Sequence, residues 1–264
     1  MLASPAANLN GADWSNWTDR SNDVRGRTTP VSELFLDIEG TPIPVELRKS
    51  DRARRLLLRV DQRREVVVLT LPSRVSQREG LSFAIGNSSW IAERLASMPP
   101  KIHFRRGAKV PVLGETHRLV HVPPGTATRR GAAWIEGSEI HVTGDLEHFS
   151  RRVHDFLRAR ARAEIKRRAE RYAAQTEKEI RGLTLRDPST RWGSCSPRGE
   201  LSFSWRLILA PAYVLDYVVA HEVAHLTVFS HAPRFWALVD QLVDDADEAR
   251  AWLRANGAAL HRYG

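Results

Sequence analysis

Residues 215–236 read LDYVVAHEVAHLTVFSHAPRFW, and the fold turns on why so apolar a run carries three histidines and a glutamate. Val218, Val219, Ala220, Val223, Ala224 and Leu226 have the character of a protein interior. An imidazole or carboxylate buried there without a partner is costly, so something must satisfy His221, Glu222, His225 and His231. Residues four apart on a helix share one face, and His221 and His225 can therefore present both rings to a single metal ion. Glu222 is turned about 100° from His221, where it reaches a water at the metal's open position more easily than the metal itself. His-Glu-x-x-His on a helix is the donor pattern of a zinc hydrolase with a glutamate general base. With 10 His and 17 Glu in 264 residues, chance yields the pattern only about 0.02 times.

A catalytic zinc takes three protein ligands and keeps a fourth position open. His231, six residues beyond His225, is the best third candidate; carboxylates at Asp240, Asp244 or Glu248 are its rivals. Metzincins use the same spacing with a glycine midway, but Val228 stands there in this chain, so the backbone must take a different route. Ser230 is placed to cap the next helix, whose first turn would hold Pro233.

Working outward, the stripe Val153, Leu157, Ala161, Ile165, Ala169 and Tyr172 predicts one long helix from about Glu147 to Arg181. LTLRD, TRWGSCS and LSFSWRLIL read as strands, the last two forming a hairpin across Pro197-Arg198-Gly199. Helices are expected from Pro211, over 233–243 and over 246–256. Towards the N-terminus, ELFLDI, IPVELR, RRLLLRV and EVVVLTL predict a meander of antiparallel strands. One helix should follow over 77–97, opened by the capping box Ser76…Glu79. KIHF, KVPVL, HRLVHV, AAWIE and EIHVTG add five short strands, and no internal repeat is legible. Residues 1–30, rich in Asn, Ser, Asp, Gly and Pro, read as a disordered leader without the pattern of a signal peptide.

The composition is that of a globular protein, 42% hydrophobic and 27% charged. A single cysteine, Cys195, rules out an internal disulfide framework and suits a reducing compartment. No run is apolar enough to span a bilayer, since Pro211 and Asp216 interrupt the longest. A soluble cytoplasmic protein with no membrane partner is the expectation. Residues 151–182 hold 11 Lys/Arg against 5 Asp/Glu, a local excess within a net charge of +9. This basic helix reads first as a solvated face. The alternative is a nucleic-acid-associated factor in which that helix binds DNA or RNA and cleavage is secondary or absent.

TRWGSCSPRGELSFSWRLILAPAYVLDYVVAHEVAHL, followed by SHAPRFWALV, resembles the YgjP-like zinc metallopeptidases, relatives of the SprT-like proteases. The likeness is strongest over 190–253 and extends more weakly to RARRLLLRVDQRREVVVLTLP and WIAERL, covering about 31–260. It implies His221, His225 and His231 as ligands of one Zn²⁺ per chain, Glu222 as the catalytic residue, and a peptide or protein substrate. Ser230 stands where the family commonly has a residue such as Asn. The resemblance also places Arg191, Trp192, Gly193 and Ser194 at or near an edge strand that binds extended substrate; packing in the hairpin is the other reading of Trp192 and Cys195. Arg206 is a candidate oxyanion partner, although a structural salt bridge is the favoured reading of it. A zinc held by four protein ligands would instead be structural. The expected fold class is α+β: a β-rich N-terminal region over 31–145, then a zincin-like metallopeptidase unit with a metal-binding helix over 146–264.

Overall fold

The computed structural model describes residues 34–61, 64–126 and 131–264 of an α+β chain. The leader read at 1–30 lies outside them. The described residues form two units divided between Pro100 and Lys101, not at 145/146. The reason is a shared core. The strands that follow Lys101 bury Val110, Val112, Leu119, Ile140 and Val142 in the same cluster as the long helix and the histidine helix.

In the N-terminal unit, β1 (Leu34–Ile38), β2 (Thr41–Ser50), β3 (Leu57–Asp61) and β4 (Val66–Pro72) form one sheet. Its order is β1-β2-β4-β3, with β2 and β4 parallel. This is not the antiparallel meander expected, because β3 passes to the outside of β4 and β4 returns beside β2. The β1–β2 turn is Glu39-Gly40, both at positive φ (51° and 80°), which suits the twist of a two-residue hairpin. Leu36, Ile38, Val45, Val67, Leu69 and Leu71 cluster with Ala84 and Ile91 of the helices. The expected single helix is two, α1 (Gln77–Gly86) and α2 (Ser88–Ala96), separated at Asn87. The capping box is present: Glu79 N donates to Ser76 Oγ (3.2 Å) and Ser76 N to Glu79 Oε2 (2.8 Å).

The second unit opens with β5 (Lys109–Val112), β6 (Glu115–Val122), β7 (Ala133–Glu136) and β8 (Glu139–Thr143), in the order β5-β6-β8-β7. Pairing repeats that of the first sheet, an antiparallel hairpin, a parallel inner pair and an antiparallel edge. Even the hairpin turn repeats, with Leu113-Gly114 at φ 52° and 93°. The chain thus contains a structural repeat that its sequence does not display, since strand pairing constrains only alternation and turns. KIHF makes no strand; Ile102 forms a lone bridge to Tyr263.

Helix α3 (Phe149–Gln175) buries the whole expected stripe. It stops before Arg181 because Glu177 adopts φ 53° while Lys178 N donates to Ala173 O (3.0 Å), a Schellman-type ending without its usual glycine. Next, β9 (Gly182–Arg186), β10 (Gly193–Cys195) and β11 (Glu200–Ser204) form a three-stranded sheet, β10-β11-β9, in which β10 and β9 are the edges. A buried 3₁₀ turn, Trp205–Leu209, leads into α4 (Ala212–Ala224). Helices α5 (Pro233–Leu242) and α6 (Ala246–Leu260) complete the unit. Asp216 of α4 accepts from Arg168 Nε (3.1 Å), Arg171 Nη2 (2.8 Å) and Tyr172 Oη (2.9 Å), joining α4 to α3.

Candidate metal centre

Helix α4 is buried nearly all round, as its composition requires, and His221, Glu222 and His225 lie at its C-terminal end. Beyond His225 the helix tightens through Leu226 N→Val223 O (2.9 Å) and Thr227 N→Ala224 O (3.0 Å). No residue from 226 to 232 has a positive φ. That is how the chain turns without the metzincin glycine, and Val228 uses its side chain to fill the interior instead. The turn delivers His231 to the first two histidines. Ser230 does not cap α5; Ala232 holds the N-cap position, with Pro233 in the first turn.

One ligand atom from each of His221, His225 and His231 lies within 4.8 Å of the others. His221 Nε2 and His231 Nε2 are 3.2 Å apart. Two nitrogens bound tetrahedrally at zinc distances would stand about 3.3 Å apart, so the spacing fits. His225 Nδ1 is 3.0 Å from Val228 O, which fixes that nitrogen as the donor and leaves Nε2 as the lone pair for a metal. His221 Nδ1 is buried and makes no hydrogen bond among the described residues. Burial, reinforced by the neighbouring imidazoles of His225 and His231, holds His221 well below the usual histidine range; burial also lowers His231. Both are therefore neutral at pH 7, the form that ligates metal. Asp240, Asp244 and Glu248 do not join the group.

Phe235 holds the three rings in place. It is fully buried, lies flat against His225 (4.4 Å between ring centroids, 26° between planes) and meets His221 (4.9 Å) and His231 (4.8 Å) edge-on. Trp236 adds contacts to His221 (5.9 Å) and His231 (5.6 Å). Sequence reasoning missed both residues, although their place four and five residues after His231 puts them on the turn of α5 nearest the histidines.

Glu222 is buried against β10. A methyl group at Gly193 would stand 2.5 Å from Glu222 Cγ and 2.6 Å from Oε1, so glycine is required there for space. Beside the carboxylate, Trp192, Gly193, Tyr217, His221, Arg250 and Leu253 enclose a cavity of about 20 Å³, room for one water molecule. The Tyr217 hydroxyl makes no hydrogen bond among the described residues, and burial, with Glu222 nearby, pushes its pKa upward. Its signal in the sequence was present but unread: it precedes His221 by one helical turn.

The edge residues divide. Gly193 touches the glutamate, and Ser194 pairs with Ser202 in the ladder. Trp192 stacks on His261 (5.0 Å, 21°) while forming one wall of the cavity, and Arg191 is half-buried just before β10. Arg206 is a correction. Its guanidinium donates to Asp187 Oδ1 (2.7 Å) and Oδ2 (3.2 Å), and to the carbonyls of Leu260 (2.9 Å) and Tyr263 (2.7 Å). Those bonds engage four of its five N–H groups and brace the C-terminus, leaving no oxyanion role.

An α+β unit that converges two imidazoles from the end of one helix and a third from the turn beyond it, beside a buried glutamate, has the build of a metallopeptidase domain. The family model of the YgjP-like metallopeptidase domain matches residues 54–256, and the chain belongs to that family. No curated protein and no solved structure matches it. No helix among the described residues is long and apolar enough to cross a membrane.

Proposed function

We propose that the chain hydrolyses peptide bonds, with His221, His225 and His231 holding one zinc ion and Glu222 acting as general base. The observation that carries this reading is the convergence of three imidazoles next to a water-sized cavity that Glu222 lines. A bound divalent zinc acidifies water and polarises a carbonyl as a Lewis acid. The protein's own part is to take and return a proton. Glu222, pressed against Gly193, faces the cavity, accepts the proton of the attacking water and passes it to the departing amine. Among the described residues no further His, Cys, Asp or Glu joins the three histidines, which favours an open catalytic position over a four-ligand structural site. Edge strand β10 offers the backbone of Gly193 and Cys195 to an extended substrate by β-addition.

The test is Glu222→Gln. Cleavage of an unfolded protein substrate should disappear while elemental analysis still finds about one zinc per chain, whereas His225→Ala should lose the zinc. Undiminished cleavage by Glu222→Gln would overturn its role.

A further inference from the structure

The sheet that carries β10 has a second open edge, along β9, and hydrogen-bond alternation fixes which groups face it. Ser204 N donates to Trp192 O (2.8 Å) and Ser196 N to Glu200 O (2.9 Å), so Ser202 turns its backbone towards β10. Leu201 and Phe203 then turn towards β9 and engage Gly182, Thr184 and Arg186 in the parallel register. Leu183 and Leu185 are left with their N–H and C=O groups pointing outward. Arg158 of α3 marks that direction, since its Nη2 donates to Leu185 O across 3.3 Å.

Between this edge and α3 runs a groove of about 500 Å³, with Arg158, Ala159 and Arg162 on one wall and residues 183–185 on the other. Its one acid, Asp155, is already paired with Arg151 (3.4 Å) and His154 (3.6 Å). Arg162 is exposed and makes no ion pair among the described residues. Farther along α3 the cations are engaged internally: Arg168 and Arg171 with Asp216, Arg167 with Glu164, and Lys166 with Glu170. Open positive charge on this helix is thus concentrated beside a strand edge.

We propose that this groove binds an extended acidic stretch of a polypeptide, added as a strand to β9 on the edge opposite β10. Arg158 and Arg162 are separated by about 6 Å along the helix axis, and alternate residues of a strand by about 6.6 Å. Carboxylates at every second position therefore meet both guanidiniums. Arg158 exchanges a long bond to a neutral carbonyl for a charge-assisted one, and the incoming N–H takes over Leu185 O. A nucleic acid has no amide ladder to offer the edge, so polypeptide is the fitting partner. The inference does not depend on the peptidase chemistry.

The test uses the full chain as Glu222→Gln, so that no probe is cleaved. A fluorescein-labelled peptide with glutamate at alternate positions is followed by fluorescence anisotropy at low salt, with amide exchange measured at Leu183 and Leu185. Binding should slow exchange at those two amides, and should weaken about tenfold or more when the glutamates become glutamines or when Arg162→Glu is introduced. Arg162 is exposed, so that variant should fold; its melting curve checks this. No binding at low salt, equal binding of the glutamine peptide, unchanged exchange, or preferential binding of a single-stranded oligonucleotide each overturns the proposal.

Discussion

Adding one methyl group at Gly193 tests how Glu222 is held. The added carbon would approach Glu222 Cγ to 2.5 Å, Oε1 to 2.6 Å and Cδ to 2.8 Å. Relaxed carbon–carbon contacts lie at about 3.5–4.0 Å, so the carboxylate must retreat by about 1 Å. Overpacking of this kind costs about 1–3 kcal/mol, offset by up to about 1 kcal/mol as alanine restricts the unfolded chain. A net loss of about 1 kcal/mol lowers the melting temperature by about 2–4 °C in a domain of this size. Activity should suffer more, since a 1 Å misplacement of a reacting group costs on the order of 100-fold. Zinc content should not change, because all three nearest atoms belong to Glu222 and none to an imidazole. Gly193→Ala is to be compared with wild type by thermal melting, elemental analysis and protein-substrate cleavage, and its melting repeated in a Glu222→Ala background. Truncating the acid at Cβ removes all three colliding atoms, so the melting penalty should shrink there. If Gly193→Ala melts and cleaves like wild type, or carries the same melting penalty with alanine at 222, the steric account is wrong.

Phe235→Ala should destabilise the protein by about 3–5 kcal/mol, and by loosening the rings it contacts should weaken zinc retention about 10–100-fold in a chelator competition. Asp216→Ala strips two arginines and a tyrosine of their acceptor; with Arg168 buried and left only Glu164, urea unfolding should show a loss of about 3 kcal/mol. Asp155→Ala, which breaks only exposed pairs, should cost under about 1 kcal/mol in the same assay. The metal-free protein should lose stability as pH falls below about 6.5, because His221 and His231 resist protonation when folded while the unfolded chain takes up the protons. Urea midpoints at pH 8 and pH 5.5 check the sign; a higher midpoint at pH 5.5 would contradict it.

Local rules were enough for much of this. The donor set was legible because helical spacing alone puts His221 and His225 on one face, and the stripe of α3 because burial follows its period. The Ser76–Glu79 box needed only neighbouring residues to form. Where the answer depended on distant partners, local patterns fell short. Parallel pairing of β2 with β4, and the repetition of that topology in β5–β8, arise from which strands meet, a choice that alternation of side chains does not encode. α3 ended early because Glu177 takes a conformation normally signalled by glycine. A salt bridge at Arg206 could be expected from the sequence, but its partners, Asp187 and the C-terminal carbonyls, were set only by the fold. The sequence by itself determined which groups carry the proposed chemistry, since histidine and glutamate at helical spacing are legible from their identities alone. Only the tertiary structure decided how that chemistry is held: Phe235 among the rings and Gly193 beneath the glutamate are long-range packing facts, set when separate elements compete for the same space.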